Sequence, residues 1–116
     1  MIGQRKYNNQ PVVVGGYRFD SKAEARRYEE LCLLQQAGEI ANIVVHPESE
    51  LQRASRDSDG RRHSAIRYVA DFSYQELPSG RVVVEDVKGH KTPEFKLKER
   101  LFRYRFPDFD FRLIDV

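Results

Sequence analysis

The sequence predicts an α/β domain in which a mixed sheet is flanked by helices, with a β-hairpin in front. Three observations predict this fold. Two helix-like segments enclose three strand-like segments, and one more strand-like segment follows the second helix. The second and third strands are joined by a tight turn and must be antiparallel. The last strand returns after a helix, so we expect it to lie parallel to a neighbour.

The hairpin and the first helix open the domain. Residues 12–19 predict a hairpin, because Gly15-Gly16 is a favoured pair for a two-residue turn that needs positive φ. A helix is predicted over residues 21–37, with Gly38 as its C-terminal stop.

Three strand-like segments occupy the middle of the chain. Residues 43–52 predict the first strand, broken or bent at Pro47 because proline cannot donate to a ladder. Residues 53–64 are polar and predict a loop. Residues 66–75 alternate between apolar and polar and predict the second strand, and the valine-rich residues 81–88 predict the third.

A second helix and a final strand complete the domain. Thr92 is a suitable N-cap and Pro93 suits the first helical position, so a helix is predicted over residues 92–104. Residues 109–114 predict the last strand. The expected core is therefore helix, three-strand antiparallel meander, helix, strand.

Composition bounds the kind of protein. Residues 1–10 are polar, and we expect them to form a flexible arm. A chain of 116 residues buries one sizeable core, so we expect a single domain over residues 11–116. Lysine and arginine number 20 against 18 aspartates and glutamates, and a net charge of +2 excludes a purely electrostatic binder. The single cysteine forms neither an internal disulfide nor a thiolate metal site. With no long apolar run, we expect no membrane span, no signal peptide and a cytoplasmic location.

Charged residues interrupt the valine-rich strand near its end. Because side chains alternate along a strand, Asp86 and Lys88 share one face and Glu85 lies on the other. If the hairpin turn is centred on residues 78–79, Asp71 lies directly opposite Asp86. Facing carboxylates repel each other, and a divalent cation between them would remove the repulsion.

The first helix supplies a third carboxylate. Glu24 shares the apolar stripe of that helix, one turn from its start, where it can reach the sheet edge. Each of these residues has a second interpretation. Ser21 and Glu24 fit a capping box, Asp71 and Asp86 fit solvated strand ends, and Lys88 fits an edge charge that blocks aggregation.

Taken together, these residues suit metal-assisted hydrolysis of a phosphodiester. Carboxylates bind Mg²⁺, for which Mn²⁺ is expected to substitute; the ion activates water and offsets charge on the phosphate. A lysine on the same face orients the water or stabilises the transition state. The three histidines, His46, His63 and His90, show no spacing typical of metal ligands; His90 follows Lys88-Gly89, which leaves a role near the site open.

Basic residues predict a surface that contacts nucleic acid. From Lys88 to Arg105 the chain carries seven basic residues and two acidic ones, and the loop over residues 53–64 is also rich in arginine. The alternative is a solvated basic helix face. Phosphate contacts are expected from Arg61, Arg62, Lys91, Lys96, Lys98 and Arg100.

Four stretches of the sequence carry a resemblance to a known superfamily. They are residues 17–28 (YRFDSKAEARRY), 68–72 (YVADF), 84–89 (VEDVKG) and 95–98 (FKLK). With them the chain resembles the PD-(D/E)XK nucleases, and it is more closely similar to a family of small phage and prophage proteins of formerly unknown function.

The resemblance implies a restriction-endonuclease-like core and a set of site residues. It implies that Asp71 and Asp86 are metal ligands, that Lys88 is the catalytic lysine, and that Glu24 is the helix acid beside the metal. Two positions depart from the motif. Asp86 stands where glutamate is commoner, and Ala70 stands where the motif has a proline that carries no chemistry.

We therefore predict a Mg²⁺-dependent DNA endonuclease that is structure-selective or weakly sequence-specific. A domain this small has little room for a separate sequence-reading element, and a homodimer would treat both strands of a duplex. The resemblance places its action in the cytoplasm of a bacterial host. The alternatives are a non-catalytic nucleic-acid-binding module of the same fold and a structural or interaction protein of a phage particle. Metal-dependent cleavage of DNA discriminates between them.

Overall fold

The computed structural model describes residues 11–87 and 91–115, so the predicted arm over residues 1–10 lies outside the described residues. The described part is a mixed α/β structure with two helices and several sheets. The elements in chain order are β1 (Val12–Val14), β2 (Tyr17–Phe19), α1 (Lys22–Gln36), β3 (Ile40–Val45), β4 (Glu48–Gln52), β5 (Ser55–Arg56), β6 (Arg62–His63), β7 (Ile66–Val69), β8 (Phe72–Glu76), β9 (Val82–Val87), α2 (Pro93–Arg105) and β10 (Asp110–Ile114).

The central sheet is mixed, with its strands in the order β10, β9, β8, β3. β8 pairs antiparallel with both β9 and β3, and β10 pairs parallel with β9. The predicted mixed sheet is therefore present, with an antiparallel β8–β9 pair and a last strand that returns parallel to its neighbour. In the β8–β9 ladder Phe72 pairs with Glu85 and Ser73 with Val84, which is the register expected from a turn at residues 78–79.

Two neighbouring strands bend at the same level of the sheet. Pro47 separates β3 from β4, as predicted, and the segment predicted as one strand over residues 66–75 is divided into β7 and β8. Across the bend, the His46 N–H donates to the Asp71 carbonyl at 2.9 Å and the Ala70 N–H to the Pro47 carbonyl at 3.0 Å. These bonds hold the two bends together, so β7 follows β4 out of the plane of the central sheet.

The two helices pack against opposite faces of the sheet. Neighbouring residues of β9 show this, since Val83 packs on the α1 side and Val84 on the α2 side. Burying such side chains stabilises the fold by about 1.5–3 kcal/mol each. The α1 core includes Phe19, Leu31, Ile40 and Phe72, and the α2 core includes Leu51, Tyr68, Phe102 and Phe111.

Local signals place the ends of the helices within a residue or two of their predicted positions. The Ser21 Oγ accepts from the Glu24 N–H at 3.2 Å, and the Thr92 Oγ1 accepts from the Phe95 N–H at 3.0 Å. Each cap oxygen accepts from a backbone N–H group of the first helical turn, which has no acceptor within the helix. Gly15 turns the N-terminal hairpin with φ 58°, and a Cβ there would lie 3.3 Å from the Tyr28 ring, so the hairpin packs closely on α1.

The predicted loop over residues 53–64 contains a small hairpin of its own, β5–β6. Asp57 organises its turn, because one carboxylate oxygen accepts from the N–H groups of Asp59 and Arg61 and the other contacts His63 Nε2 at 2.8 Å. These contacts, with His63 the largest, lower the pKa of Asp57. In the described residues, neither helix has the length and apolar character needed to span a bilayer.

Candidate metal centre

Three side chains from three separate elements meet at the bend in the sheet. Glu24 comes from the first turn of α1, His46 from the β3–β4 bend and Asp71 from the β7–β8 bend. One possible ligand atom from each lies within 4.8 Å of the others. Glu24 and Asp71 are half-buried and His46 is exposed, so the cluster is open to solvent on one side.

Asp71 and Asp86 face each other across the β8–β9 ladder, as the predicted register requires. The Asp71 N–H donates to Asp86 Oδ1 at 3.1 Å, and the Val87 N–H donates to Asp71 Oδ2 at 2.6 Å. Each carboxylate thus accepts a backbone N–H from the opposite strand. Asp86 is 1% exposed, so its orientation is fixed by the packed sheet. Rigid carboxylates of this kind are suited to binding a cation without reorganisation.

Glu85 points to the opposite face, toward α1, as strand alternation predicts. It is fully buried, and its carboxylate accepts from Arg27 Nε at 2.9 Å, Arg27 Nη2 at 2.6 Å and the Tyr74 hydroxyl at 2.6 Å. The hydrogen bond to Glu85 raises the pKa of Arg27, while burial and then the bond to Glu85 raise the pKa of Tyr74. Glu85 therefore anchors α1 to the sheet and takes no part in the carboxylate cluster.

The structure brings three of the four predicted catalytic residues to one end of the sheet. Glu24 clusters with Asp71, and Asp71 contacts Asp86. The fourth, Lys88, follows Val87 in the sequence and lies outside the described residues. The Ser21 hydroxyl accepts the Glu24 N–H, which is one half of the predicted capping box. Ser21 therefore caps the first turn of α1, and the Glu24 carboxylate of the same turn lies in the cluster.

The residues predicted to contact phosphates lie on exposed surfaces. Lys98 is the least exposed, at 31% of its side chain, and its Nζ lies 3.3 Å from Glu94 one turn earlier in α2. It also lines a cleft between β7 and the start of α2, to which Tyr68 and Phe95 contribute. β7 is followed in the chain by Asp71, but none of the clustered carboxylates lines this cleft. The other five predicted phosphate contacts are all exposed: Arg61, Arg62, Lys91, Lys96 and Arg100.

Sequence reasoning missed His46. Its partners are far away in the chain, so no short spacing links them, and only folding brings them together. The one local signal is the His46-Pro47 pair at a predicted strand break. His46 adopts φ 54°, a left-handed conformation in which histidine is enriched relative to most residues.

The donor set fits a divalent metal ion. Glu24 and Asp71 offer carboxylate oxygens, which Mg²⁺ and Mn²⁺ accept, and His46 adds an imidazole nitrogen. The buried Asp86 supports Asp71 from the adjacent strand. The three donors come from a helix and two strand bends that are themselves hydrogen-bonded, so their spacing is set by the fold.

Comparisons with known proteins place the chain in a family without adding a described activity. No curated protein matches the sequence, and no solved structure matches it. A family model matches residues 4–115, which is nearly the whole chain. The chain therefore belongs to the family described as "Protein of unknown function (DUF1064)".

Proposed function

We propose that the protein is a DNA endonuclease that requires a divalent metal ion and hydrolyses phosphodiester bonds in the manner of the PD-(D/E)XK nucleases. The observation that carries this proposal is the position of Asp71. It clusters with Glu24 and His46 and is hydrogen-bonded to Asp86 across the ladder. A helix carboxylate and a strand carboxylate that meet where solvent has access, with the buried Asp86 beside them, suit metal-assisted hydrolysis.

Each residue has a specific part in this proposal. Asp71, Asp86 and Glu24 would hold Mg²⁺, with Mn²⁺ as a substitute. The bound ion would activate water and offset charge on the phosphate. Asp86 holds the backbone of Asp71, because its Oδ1 accepts the Asp71 N–H at 3.1 Å, and the Val87 N–H holds the Asp71 carboxylate at 2.6 Å. Lys88 shares a strand face with Asp86 in the sequence pattern, and we propose that it orients the attacking water or stabilises charge on the phosphate.

The proposed substrate is DNA, held through its phosphates. The predicted phosphate contacts are charge-based and exposed, and such contacts carry no sequence information. We therefore propose structure-selective or weakly sequence-specific cutting, with a homodimer cutting both strands of a duplex. The resemblance to phage and prophage proteins supports action in the cytoplasm of a bacterial host.

Cleavage of supercoiled plasmid DNA in Mg²⁺ tests the proposal. The wild-type protein should nick or linearise the plasmid, and EDTA should stop the reaction. Asp71→Asn should lower the rate by at least ~100-fold, whereas Asp108→Asn, at an exposed position before β10, should leave it unchanged. A panel of linear, nicked, flapped and four-way DNA, with matched RNA, then identifies the preferred substrate. DNA binding without cleavage in either Mg²⁺ or Mn²⁺ would contradict the proposal and favour a non-catalytic binding module.

A further inference from the structure

His46 occupies a position that apolar packing does not explain. Its side chain is exposed, yet its backbone takes the left-handed φ of 54°, which most side chains avoid. Two contacts keep the residue there. Its N–H donates to the Asp71 carbonyl at 2.9 Å, and its ring lies 6.0 Å from the ring of Phe19, centroid to centroid. The imidazole is therefore held beside the two carboxylates by the bend itself.

The bend and the cluster depend on each other. The same residue, Asp71, accepts the His46 N–H through its carbonyl and contributes its carboxylate to the cluster. Pro47 follows immediately and narrows the backbone choices of His46, because its ring disfavours the right-handed helical conformation for the preceding residue. A ring nitrogen of His46 thus lies within 4.8 Å of carboxylate oxygens from α1 and from the neighbouring strand bend.

The chemistry of this donor set discriminates between cations. Mg²⁺ prefers oxygen ligands and retains water, whereas first-row transition metals accept imidazole nitrogen readily. We propose that His46 is a direct metal ligand and that the site therefore binds a first-row transition-metal dication, with Mn²⁺ as the probe, in preference to Mg²⁺. This inference rests on the proposed function, because it concerns the same site and specifies the ion that the site takes.

Two substitutions separate the ligand from the backbone conformation. His46→Asn replaces the nitrogen donor by an amide oxygen, and asparagine tolerates a left-handed backbone. His46→Gly removes the donor and is free of strain at positive φ. His63→Asn is the matched control, because His63 is an exposed histidine that contacts Asp57 in the β5–β6 hairpin. Thermal melts in EDTA establish that each variant is folded before metal is added.

The experiment measures metal binding without DNA. Calorimetric titrations give the Mn²⁺ and Mg²⁺ affinities, and pulsed electron paramagnetic resonance on bound Mn²⁺ detects a coordinated ¹⁴N. We expect the wild type and His63→Asn to bind Mn²⁺ at least ~10-fold more tightly than Mg²⁺ and to show the nitrogen coupling. In His46→Asn and His46→Gly the preference should fall by ~10-fold or more, and the coupling should disappear.

Two results would overturn the inference. One is Mn²⁺ bound without nitrogen coupling in the wild type, and the other is an Mn²⁺-to-Mg²⁺ preference that His46→Asn leaves unchanged. Either would mean that the imidazole only contacts the carboxylates. The proposed function fails separately, through absence of DNA cleavage by a protein that binds Mn²⁺ through His46. Conversely, Asp71-dependent cleavage by a protein whose bound Mn²⁺ shows no nitrogen coupling would retain the function and reject the ligand.

Discussion

Replacing Glu85 by glutamine tests the interface between α1 and the sheet. The carboxylate is fully buried and accepts two hydrogen bonds from Arg27 and one from Tyr74. Glutamine keeps the shape and one acceptor oxygen but loses the charge. The guanidinium of Arg27, with a side chain 19% exposed, would then lose its buried partner.

The size of the effect follows from burial. Removing one partner of a fully buried ion pair costs about 3–5 kcal/mol. Arg27 retains some solvent contact and a hydrogen bond to Glu30 at 3.0 Å, so we expect a loss of about 2–4 kcal/mol in the free energy of unfolding. With an unfolding entropy of about 2.1 cal/mol/K per residue over 116 residues, that loss lowers the Tm by roughly 8–16 °C.

Urea unfolding and scanning calorimetry measure this loss directly. Glu29→Gln is the matched control, since Glu29 is exposed on the same helix and its substitution should change the Tm by less than about 2 °C. A double-mutant cycle with Arg27→Gln should give a coupling of at least ~1 kcal/mol. A Glu85→Gln protein that melts within about 2 °C of the wild type would refute the reasoning.

Three further predictions concern the helix start, the buried phenol and the small hairpin. Glu24→Gln should melt within about 2 °C of the wild type but cut DNA at least ~100-fold more slowly, whereas Ser21→Ala should lose about 1 kcal/mol of stability and keep its rate. Burial raises the pKa of Tyr74 above its ordinary 10.0. The folded state therefore favours the neutral phenol, and the stability gained in this way is present below pH 10 and is lost as the pH rises through the folded-state pKa. The difference in urea-unfolding free energy between the wild type and Tyr74→Phe should narrow accordingly above pH 10. His63 is the largest cause of the lowered pKa of Asp57, so the β5–β6 hairpin should be stabilised above the usual carboxyl pKa and lose that stability as the pH falls through the folded-state pKa. In His63→Asn, NMR chemical shifts of the hairpin should show this loss beginning at a higher pH than in the wild type.

Much of the central sheet was predictable because its signals are local. The short turn at residues 78–79 fixes the β8–β9 register, and alternation then assigns opposite faces to Glu85 and Asp86. The helix caps at Ser21 and Thr92 are equally local. These features depend on residues a few positions apart, which a sequence shows directly.

The features that sequence reasoning missed depend on contacts between distant residues. The alternating pattern continues through the break between β7 and β8 and so conceals it, although Ala70 packs in the α2 core and Phe72 in the α1 core. The break is held by the bond from the Ala70 N–H to the Pro47 carbonyl of the neighbouring strand. The partner of Glu85 is Arg27, on a different element, and no pattern in the sequence links them. His46 enters the cluster through the same bend, so its role follows from tertiary structure alone.

The most direct test of the central claim compares two adjacent carboxylates on the same strand. Single-turnover cleavage of plasmid DNA in Mg²⁺ is measured at a temperature at which the wild type, Asp86→Asn and Glu85→Gln are all folded. Because Asp86 accepts the N–H of Asp71, a member of the cluster, whereas Glu85 is paired with Arg27 and Tyr74, we expect Asp86→Asn to lower the rate by at least ~100-fold. Glu85→Gln should remain within a few-fold of the wild type. Equal loss in both variants, or undiminished cleavage by Asp86→Asn, would contradict the assignment of Asp86, and not Glu85, to the active site.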